Sequence, residues 1–333
     1  MTRAVIYGAG SWGTAFAQIL ADAGAERVTL WARRPEIARH IQEGHHNPDY
    51  LPEVELSPVV TATSDPQEAA AGADLVVLAV PSQSLRDNLG QWGAHLPQEA
   101  PVVSLMKGIE LGTGLRMSQV IAAAGVEESR IVVVTGPNLS REIAARQPAA
   151  SVVASADHAA ADRVAAAAMT AYFRPYTQTD VIGAELGGAV KNVIALAVGM
   201  AEGLGYGDNT KSSLITRGLA ETARLGQALG ADPATLMGLA GVGDLIATCM
   251  SPLSRNHRVG VALGQGRSVE EILAVPHQTA EGVKSCRSVV ELGARHGVDL
   301  PICQGVTAVV DGAITPERLT GELMTRARKH ERH

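Results

Sequence analysis

The chain has 333 residues, of which 46% are hydrophobic, 19% charged and 3% aromatic, and its formal net charge is −6. This length exceeds what one compact core usually holds, so two domains are expected, with cores built mainly from aliphatic side chains. The acidic balance provides no broad basic surface, which argues against nucleic acid and anionic membranes as partners.

Cysteine usage and the N-terminal sequence bear on the compartment. Cys249, Cys286 and Cys303 are widely spaced and form no Cys-x-x-Cys pair, which argues against a disulfide framework and a structural zinc site. No apolar signal region precedes the first predicted strand, and no apolar run approaches the roughly 18 residues needed to span a bilayer. We therefore expect a cytoplasmic protein with no membrane insertion and no bound metal.

A glycine-rich motif lies between the first predicted strand and the first predicted helix. Gly8, Gly10 and Gly13 form a Gly-x-Gly-x-x-Gly pattern after the apolar run 4–7 and before the apolar run 15–21. In order, these glycines permit a tight turn, close approach of the backbone to a pyrophosphate, and close packing of helix on strand. The motif predicts a dinucleotide-binding turn; a glycine-rich turn of an ordinary α/β protein is the alternative.

Two arginines follow the second predicted strand, residues 27–32. About 20 residues beyond the glycines, a dinucleotide-binding protein places the group that contacts the adenosine ribose. Arg33 and Arg34 stand there instead of an acidic residue, and they can clamp a 2′-phosphate. The pair favours NADP(H) or at least tolerates it, so NADP(H) and/or NAD(H) is the expected cofactor. Solvated arginines opening the next helix are the alternative.

Further apolar runs predict buried parallel strands that end in groups suited to ligands. They cover residues 74–80, 101–106 and 131–135. Ser82 follows the first run, Lys107 the second and Gly136 the third, and ligands of open α/β sheets bind at the carboxyl ends of strands. Shorter extended stretches at 150–153 and 172–179 complete a predicted sheet of seven or eight strands.

The pattern changes near residue 180, where β-branched runs stop and long Ala, Leu and Gly segments with helical spacing begin. We predict an α/β plus all-α protein. A Rossmann-type, doubly wound dinucleotide-binding domain covers residues 1–180, and an all-helical substrate-binding domain covers residues 181–333. The site is expected in the cleft between them.

A long buried helix is predicted over residues 183–201, with Lys191 as its interior cation. Reduction of a ketone by hydride needs a proton donor at the carbonyl oxygen, and burial lowers the pKa of a lysine toward neutrality. Gly187 and Gly188 lie one turn earlier, and their missing side chains are expected to leave room for a ligand. The alternative is a lysine whose stem packs on apolar neighbours while its ammonium reaches water.

Polar groups also cluster in two later segments. Asp244 is flanked by glycines at a predicted helix entrance, and Ser254, Arg255 and Asn256 place three donors in succession. The planar guanidinium suits bidentate contact with a phosphate. A loop that caps a helix is the alternative.

Eight short motifs together are highly specific in their order and spacing. They occupy residues 8–15, 47–52, 107–110, 136–137, 186–192, 214–218, 241–245 and 254–256. Through them the chain resembles, along nearly its whole length, the bacterial-type NAD(P)-dependent sn-glycerol-3-phosphate dehydrogenases. The resemblance implies a homodimer that reduces dihydroxyacetone phosphate to sn-glycerol 3-phosphate with NAD(P)H for phospholipid synthesis.

The resemblance also implies site residues, with Lys191 as the catalytic proton donor and acceptor. Implied cofactor contacts are Gly8, Gly10, Ser11, Trp12, Gly13, Arg33, Arg34, Lys107, Ser140, Arg255, Thr279 and Glu281. Implied substrate contacts are Lys107, Gly136, Asn138, Lys191, Asp244, Ser254, Arg255 and Asn256. The chain departs from the family after Gly136-Pro137, where Asn138-Leu139-Ser140 replaces a small hydroxyl residue, an aromatic residue and Ala. It also has Thr279-Ala280 where the family often has an aliphatic pair before Glu-Gly.

Two other functions stay open from the sequence. A β-hydroxyacid or sugar-acid dehydrogenase shares this layout, but its carboxylate substrate needs one anion clamp, whereas Lys107 with residues 254–256 suits a dianionic phosphate. A nucleotide-sensing regulator would bind NAD(P)H without turnover and would not need Lys191.

Overall fold

The computed structural model describes residues 1–274 and 280–327, so the implied cofactor contact Thr279 lies outside the described residues. The strands are β1 Arg3–Tyr7, β2 Arg27–Trp31, β3 His46–Asn47, β4 Leu51–Glu55, β5 Val60–Thr63, β6 Leu75–Leu78, β7 Val102–Ser104, β8 Ile131–Thr135, β9 Ala149–Ala154 and β10 Phe173–Gln178.

Helices separate the strands in the first half of the chain and make up the second half. They are α1 Ser11–Asp22, α2 Pro35–Gly44, α3 Pro66–Ala70, α4 Leu85–Trp92, α5 Met117–Ala123, α6 Ser140–Ala144, α7 His158–Ala168, α8 Val181–Gly203, α9 Asp208–Ala228, α10 Pro233–Met237, α11 Asp244–Met250, α12 Arg255–Gly264, α13 Val269–Leu273, α14 Glu281–Arg295, α15 Pro301–Val310 and α16 Pro316–Met324. Short 3₁₀ segments occur at Ser82–Ser84, Gly93–His95 and Glu128–Arg130, and a π-helical turn occurs at Leu239–Gly243.

Eight strands form one twisted layer in the order β10-β9-β8-β7-β6-β1-β2-β5. Neighbouring strands are parallel except β8 and β9, so β9 and β10 run against the other six. Alternate side chains of β1 enter two separate cores, one shared with Phe16 of α1 and the other with Trp92 of α4. Helices therefore cover both faces, and the predicted doubly wound α/β domain followed by helices is confirmed.

The sequence analysis missed β5 and the antiparallel hairpin formed by β3 and β4. β5 has four residues, Val-Thr-Ala-Thr, of which only the valine is buried. β3 has two residues, and β4 exposes three of its five side chains. None of these segments presents the continuous apolar run that identifies a buried strand.

The order in which strands are added to the sheet reverses at β1. β2 and β5 lie on one side of it, and β6, β7 and β8 lie on the other. Ligands of open α/β sheets bind at the carboxyl ends of the strands at such a point. The glycine motif after β1, Arg33 after β2, Ser82 after β6, Lys107 after β7 and Gly136 after β8 all lie at this edge.

A long buried helix opens the helical half. β10 ends at Gln178, and Asp180 caps α8 by accepting a hydrogen bond from the Gly183 N–H at 2.9 Å. By length and composition α8 could cross a membrane, which the sequence analysis did not expect, but 89% of its apolar window is buried inside the protein. Helices α9, α11, α12, α14 and α15 contribute side chains to the core around it. α8 is therefore the central helix of the second domain.

Glycines allow α12 to pack closely on α8. A Cβ on Gly199 would lie 2.2 Å from the carbonyl oxygen of His257, and a Cβ on Gly260 would lie 2.3 Å from the carbonyl oxygen of Leu196. Any larger residue at either position would push the two backbones apart. This close packing holds the first turn of α12 beside the middle of α8.

Candidate active site

Lys107 follows β7 and contacts three residues from two other segments, the turn after β8 and the start of α11. Its ammonium donates to the Gly136 carbonyl oxygen at 3.0 Å, to Asn138 Oδ1 at 2.6 Å and to Asp244 Oδ2 at 2.7 Å. An ammonium group has three N–H donors, so Lys107 uses all of them within the protein. Lys107 therefore joins the sheet edge to α11 through its hydrogen bonds.

The environment of Lys107 is nearly dry, with 12% of its side chain exposed. Burial lowers its pKa to about 7, the Asp244 carboxylate raises it, and the Lys191 ammonium lowers it. The single carboxylate between the two lysines does not offset the desolvation of Lys107, because it is shared. Lys107 is therefore expected to change its protonation near neutral pH.

Lys191 contacts the other oxygen of the same carboxylate. Its ammonium donates to Asp244 Oδ1 and, at 2.7 Å, to Thr248 Oγ1. Within the described ranges no third acceptor meets this ammonium, so one N–H donor stays available. Of the two lysines, Lys191 is the one that can donate to a bound ligand without losing an internal hydrogen bond.

Asp244 and Thr248 lie one turn apart at the start of α11, directly after the π-helical turn. Their i, i+4 spacing places both side chains on the face of α11 that meets α8. Asp244 is 1% exposed, so its charge is compensated by the two lysines and not by water. The glycine-flanked aspartate of the sequence analysis is thus a buried counter-ion.

Gly187 and Gly188 were expected to leave room for a ligand, and this expectation is wrong. A Cβ on Gly187 would lie 2.2 Å from the Ala240 carbonyl oxygen. A Cβ on Gly188 would lie 2.9 Å from Thr135 Oγ1 and 3.3 Å from the Lys107 side chain. Protein atoms fill the space, so these glycines bring α8 against the sheet edge and the π-helical turn.

The three donors at the start of α12 have different surroundings. Ser254 caps the helix, its hydroxyl accepting from a backbone N–H of the first turn at 3.3 Å. Asn256 donates to Asn192 Oδ1 at 2.8 Å and accepts from the Gly282 N–H at 2.9 Å. Arg255 is exposed and makes no hydrogen bond or ion pair with the described residues. It is the free cation of this segment.

The glycine motif has the geometry that a pyrophosphate needs. Gly8 has φ +124, and a Cβ there would lie 2.6 Å from the Ala79 carbonyl oxygen. A Cβ on Gly13 would lie 2.0 Å from the Gly8 carbonyl oxygen, whereas one on Gly10 would meet nothing within 4 Å. Glycine is thus required for packing at two positions and leaves open space at the third. The residues present fit a dinucleotide at this turn.

The start of α1 adds donors to the glycine turn. Gly10 is the N-cap and no side chain caps the helix, so the N–H groups beginning at Ser11 face the turn unpaired by a cap. Trp12 packs edge-on against Phe16 at 5.6 Å, and its buried Nε1 has no partner among the described residues. The N–H groups at the start of α1 and Trp12 Nε1 therefore remain available as donors to a nucleotide.

Glu281, the first residue of α14, faces the turn after β6. Its carboxylate accepts from the Ser82 N–H at 3.3 Å and from Ser82 Oγ at 2.6 Å. This contact joins the two domains at the cofactor edge of the sheet. Ser140 begins α6, and the structure gives it no hydrogen bond to the other candidate residues.

Arg33 and Arg34 are not equivalent. Arg33 is exposed, and no ion pair of its guanidinium occurs within residues 1–274 and 280–327. Arg34 Nη2 donates to Asp49 Oδ2, and Arg34 Nε lies 3.7 Å from Glu36 Oε1. The hydrogen bond to Asp49 raises the pKa of Arg34. A carboxylate therefore already occupies one of the two arginines proposed to hold a 2′-phosphate.

Three residues that shape the site were given no role from the sequence: Asp49, Asn192 and Thr248. Asn192 donates to the Lys107 carbonyl oxygen at 3.1 Å and accepts from Asn256, so it links the lysine loop to α12. The i, i+4 spacing from Asp244 could have identified Thr248. Across residues 1–274 and 280–327, no three His, Cys, Asp or Glu side chains are grouped to hold a metal ion.

Comparisons with known proteins match the whole chain. Residues 3–161 match the family model of the NAD-dependent glycerol-3-phosphate dehydrogenase N-terminus, and residues 180–321 match that of its C-terminus. The glycerol-3-phosphate dehydrogenase [NAD(P)+] of Streptomyces griseus is 61% identical over 331 residues, 99% of this chain and 98% of that protein. That of Thermobifida fusca is 57% identical over 334 residues, covering 100% and 99%. The crystal structure of glycerol-3-phosphate dehydrogenase from Coxiella burnetii superposes with a TM-score of 0.92 at 33% identity, covering 98% of this chain and 99% of that one.

Proposed function

The chain belongs to the NAD-dependent glycerol-3-phosphate dehydrogenase family, and we propose that it performs the family's reaction with Lys191 as the proton donor. That reaction is the reduction of dihydroxyacetone phosphate to sn-glycerol 3-phosphate with NAD(P)H. The observation that carries the proposal is that Lys107 and Lys191 share the Asp244 carboxylate but use different numbers of their N–H donors within the protein. Among the described residues, Lys107 has all three N–H groups engaged, whereas Lys191 has two engaged and one without an acceptor.

The proposed proton transfer takes place at Lys191 Nζ. The glycine turn at residues 8–13 would hold the nicotinamide nucleotide, which when bound would supply the hydride for the carbonyl carbon. Lys191 presents its third N–H to the carbonyl oxygen and gives up that proton as negative charge develops there. Asp244 and Thr248 hold the amine in place before and after the transfer. The neutral amine then takes a proton from solvent, or from the alcohol in the reverse direction.

The substrate phosphate is assigned to the start of α12. Arg255 is a free cation at the first position of this helix, where unpaired backbone N–H groups also favour an anion. The Asn192–Asn256 hydrogen bond ties this segment to the residue after Lys191. Asn138 Nδ2 is buried without a partner among the described residues and is a further donor for the substrate. These groups orient the ketone without taking part in proton transfer.

One steady-state assay tests the proposed function. Purified protein is mixed with NADPH or NADH and dihydroxyacetone phosphate, and absorbance at the nicotinamide band is followed. Oxidation that depends on dihydroxyacetone phosphate supports the proposal. Nucleotide binding without turnover would indicate a regulator instead. Faster turnover with a 2-oxo or 3-oxo carboxylic acid than with the phosphate would indicate the hydroxyacid class.

Three proposals about the protein in the cell accompany this function. Cys249, Cys286 and Cys303 are free and buried, which supports the reducing cytoplasm as its compartment. Ile246 and Met250, one turn apart on α11, are 48% and 46% exposed and support a homodimer through an apolar face. The product would supply glycerophospholipid synthesis. Light scattering of the purified protein tests the dimer.

We also propose that the domains divide between residues 180 and 181. The last strand of the sheet ends at Gln178, and α8 begins at Val181. The family model of the C-terminus begins at residue 180, while that of the N-terminus ends at residue 161. Expression of residues 1–180 alone tests the boundary, because an independent dinucleotide domain would unfold cooperatively.

A further inference from the structure

The hairpin of β3 and β4 is fixed against the glycine turn by a buried asparagine. Asn47 Nδ2 donates to the Ala9 carbonyl oxygen at 2.9 Å and to Thr14 Oγ1 at 2.8 Å. Asn47 is completely buried, so this contact is shielded from water. Asp49 lies two residues later, in the turn between the hairpin strands. The motif at residues 47–52 thus holds a carboxylate next to the dinucleotide turn.

The arginines reach the same place from β2. The Gly8 N–H donates to the Trp31 carbonyl oxygen at 3.1 Å, so the end of β2 lies beside the glycine turn. Arg34 comes three residues after Trp31 and pairs with Asp49, whose side chain is 25% exposed. The partly buried position of this pair reduces its screening by salt.

The sum of the charges around Arg34 shows how the Arg34–Asp49 pair affects the expected 2′-phosphate site. Arg33 and Arg34 contribute two positive charges, and Glu36 and Asp49 contribute two negative charges. The expected 2′-phosphate site is therefore close to neutral in net charge, although the sequence suggests a strong anion clamp. A 2′-phosphate has to compete with Asp49 for Arg34 and also experiences repulsion from the Asp49 carboxylate.

We propose that Asp49 is a specificity-determining residue for the cofactor, which lowers the preference for a 2′-phosphate by occupying Arg34. This inference rests on the proposed function for the identity of the cofactor. Asp49 in this arrangement lets the adenosine pocket accept NADH as well as NADPH. Arg33, which is free of such a partner among the described residues, supplies the remaining attraction for the phosphate.

Calorimetry with nucleotide fragments tests the proposal without any turnover. The ligands are adenosine 2′,5′-bisphosphate and 5′-AMP, which differ only in the 2′-phosphate. In Asp49→Asn, binding of the bisphosphate is expected to tighten about two- to fivefold, the range of one partly exposed ion pair, while 5′-AMP binding stays unchanged. In the double variant Asp49→Asn with Arg34→Gln, this gain should disappear relative to Arg34→Gln alone.

Control variants separate this effect from general charge and folding. Glu43→Gln removes an exposed acid from α2 that makes no hydrogen bond or ion pair with Arg34, and it should leave both dissociation constants unchanged. Asp49→Ser, a second substitution of the same carboxylate, should reproduce Asp49→Asn if the asparagine variant folds poorly.

Specific outcomes overturn the inference. Equal changes for both nucleotides, a gain that persists without Arg34, or no binding of either nucleotide to the unchanged protein would each contradict it. Failure of the proposed function looks different, since nucleotides would bind as expected while dihydroxyacetone phosphate gave no oxidation of NADH or NADPH.

Discussion

Asp244 Oδ2 accepts a hydrogen bond from Lys107 at 2.7 Å, and this contact bridges residues 137 positions apart, one from each domain. The other oxygen of the same carboxylate serves Lys191. One buried anion therefore compensates two cations, and the electrostatics of the site depend on it.

The first prediction concerns Asp244→Asn. The substitution leaves two buried ammonium groups without a counter-ion, so the free energy of unfolding should fall by about 3–5 kcal/mol. Activity with dihydroxyacetone phosphate should fall by at least two orders of magnitude, because Lys191 loses its orientation. Denaturant titration and steady-state kinetics measure the two effects. Asp208→Asn removes an exposed partner of Lys211 and should change neither quantity measurably.

The second prediction follows from the lowered pKa of Lys107, which is about 7 in the folded protein against an unfolded value of 10.5. Between these values the unfolded chain binds more protons, so this group makes the protein more stable as pH rises from 7 toward 10.5. The unfolding free energy of the unchanged protein minus that of Lys107→Met should therefore increase with pH. Its slope should not exceed about 1.4 kcal/mol per pH unit.

Denaturant titrations at pH 7, 8 and 9 measure that difference, and titrating groups that do not interact with Lys107 cancel when the two proteins are compared. A difference that stays constant with pH would show that Lys107 keeps its proton throughout. It would also remove Lys107 as the pH-sensitive cation of the site.

The third prediction concerns Arg255→Ala. Loss of this cation should lower kcat/KM for dihydroxyacetone phosphate. The loss should correspond to about 1.5–3 kcal/mol of charge-assisted binding in the transition state. The trace activity on unphosphorylated dihydroxyacetone should stay almost the same, since that substrate has no phosphate to hold. Arg258→Ala, an exposed arginine one turn further along α12, is the matched control. Equal losses on both substrates would place the phosphate site elsewhere.

The fourth prediction tests the close packing of α12 on α8. Gly260→Ala places a Cβ 2.3 Å from the Leu196 carbonyl oxygen, so the helices must separate at a cost of about 1–3 kcal/mol. The shift should also raise KM for dihydroxyacetone phosphate, because α12 carries Arg255. Gly90→Ala in α4 meets nothing within 4 Å and should be neutral or stabilise the helix by up to about 1 kcal/mol. Equal melting temperatures for the two variants would refute the packing argument.

Local patterns in the sequence predicted the sheet, the glycine turn and the lysine of the central helix, because each depends on neighbouring residues. The pairing of Arg34 with Asp49 could not be predicted, since it requires a hairpin whose strands are too short and polar to recognise. The missing side chains of Gly187 and Gly188 were expected to leave room for a ligand, but protein atoms distant in sequence fill that space. Lys107 meets partners 29, 31 and 137 positions away, which only the tertiary structure brings together.

Proton transfer from Lys191 Nζ is tested by the kcat of Lys191→Met. Methionine keeps an unbranched apolar stem in the buried helix but cannot donate a proton. Nucleotide binding should be unchanged while kcat falls by several orders of magnitude. Lys191→Arg should show the same loss, because arginine does not release a proton near neutral pH. A Lys191→Met protein that retains most of its kcat would contradict the assignment and leave the proton to another group.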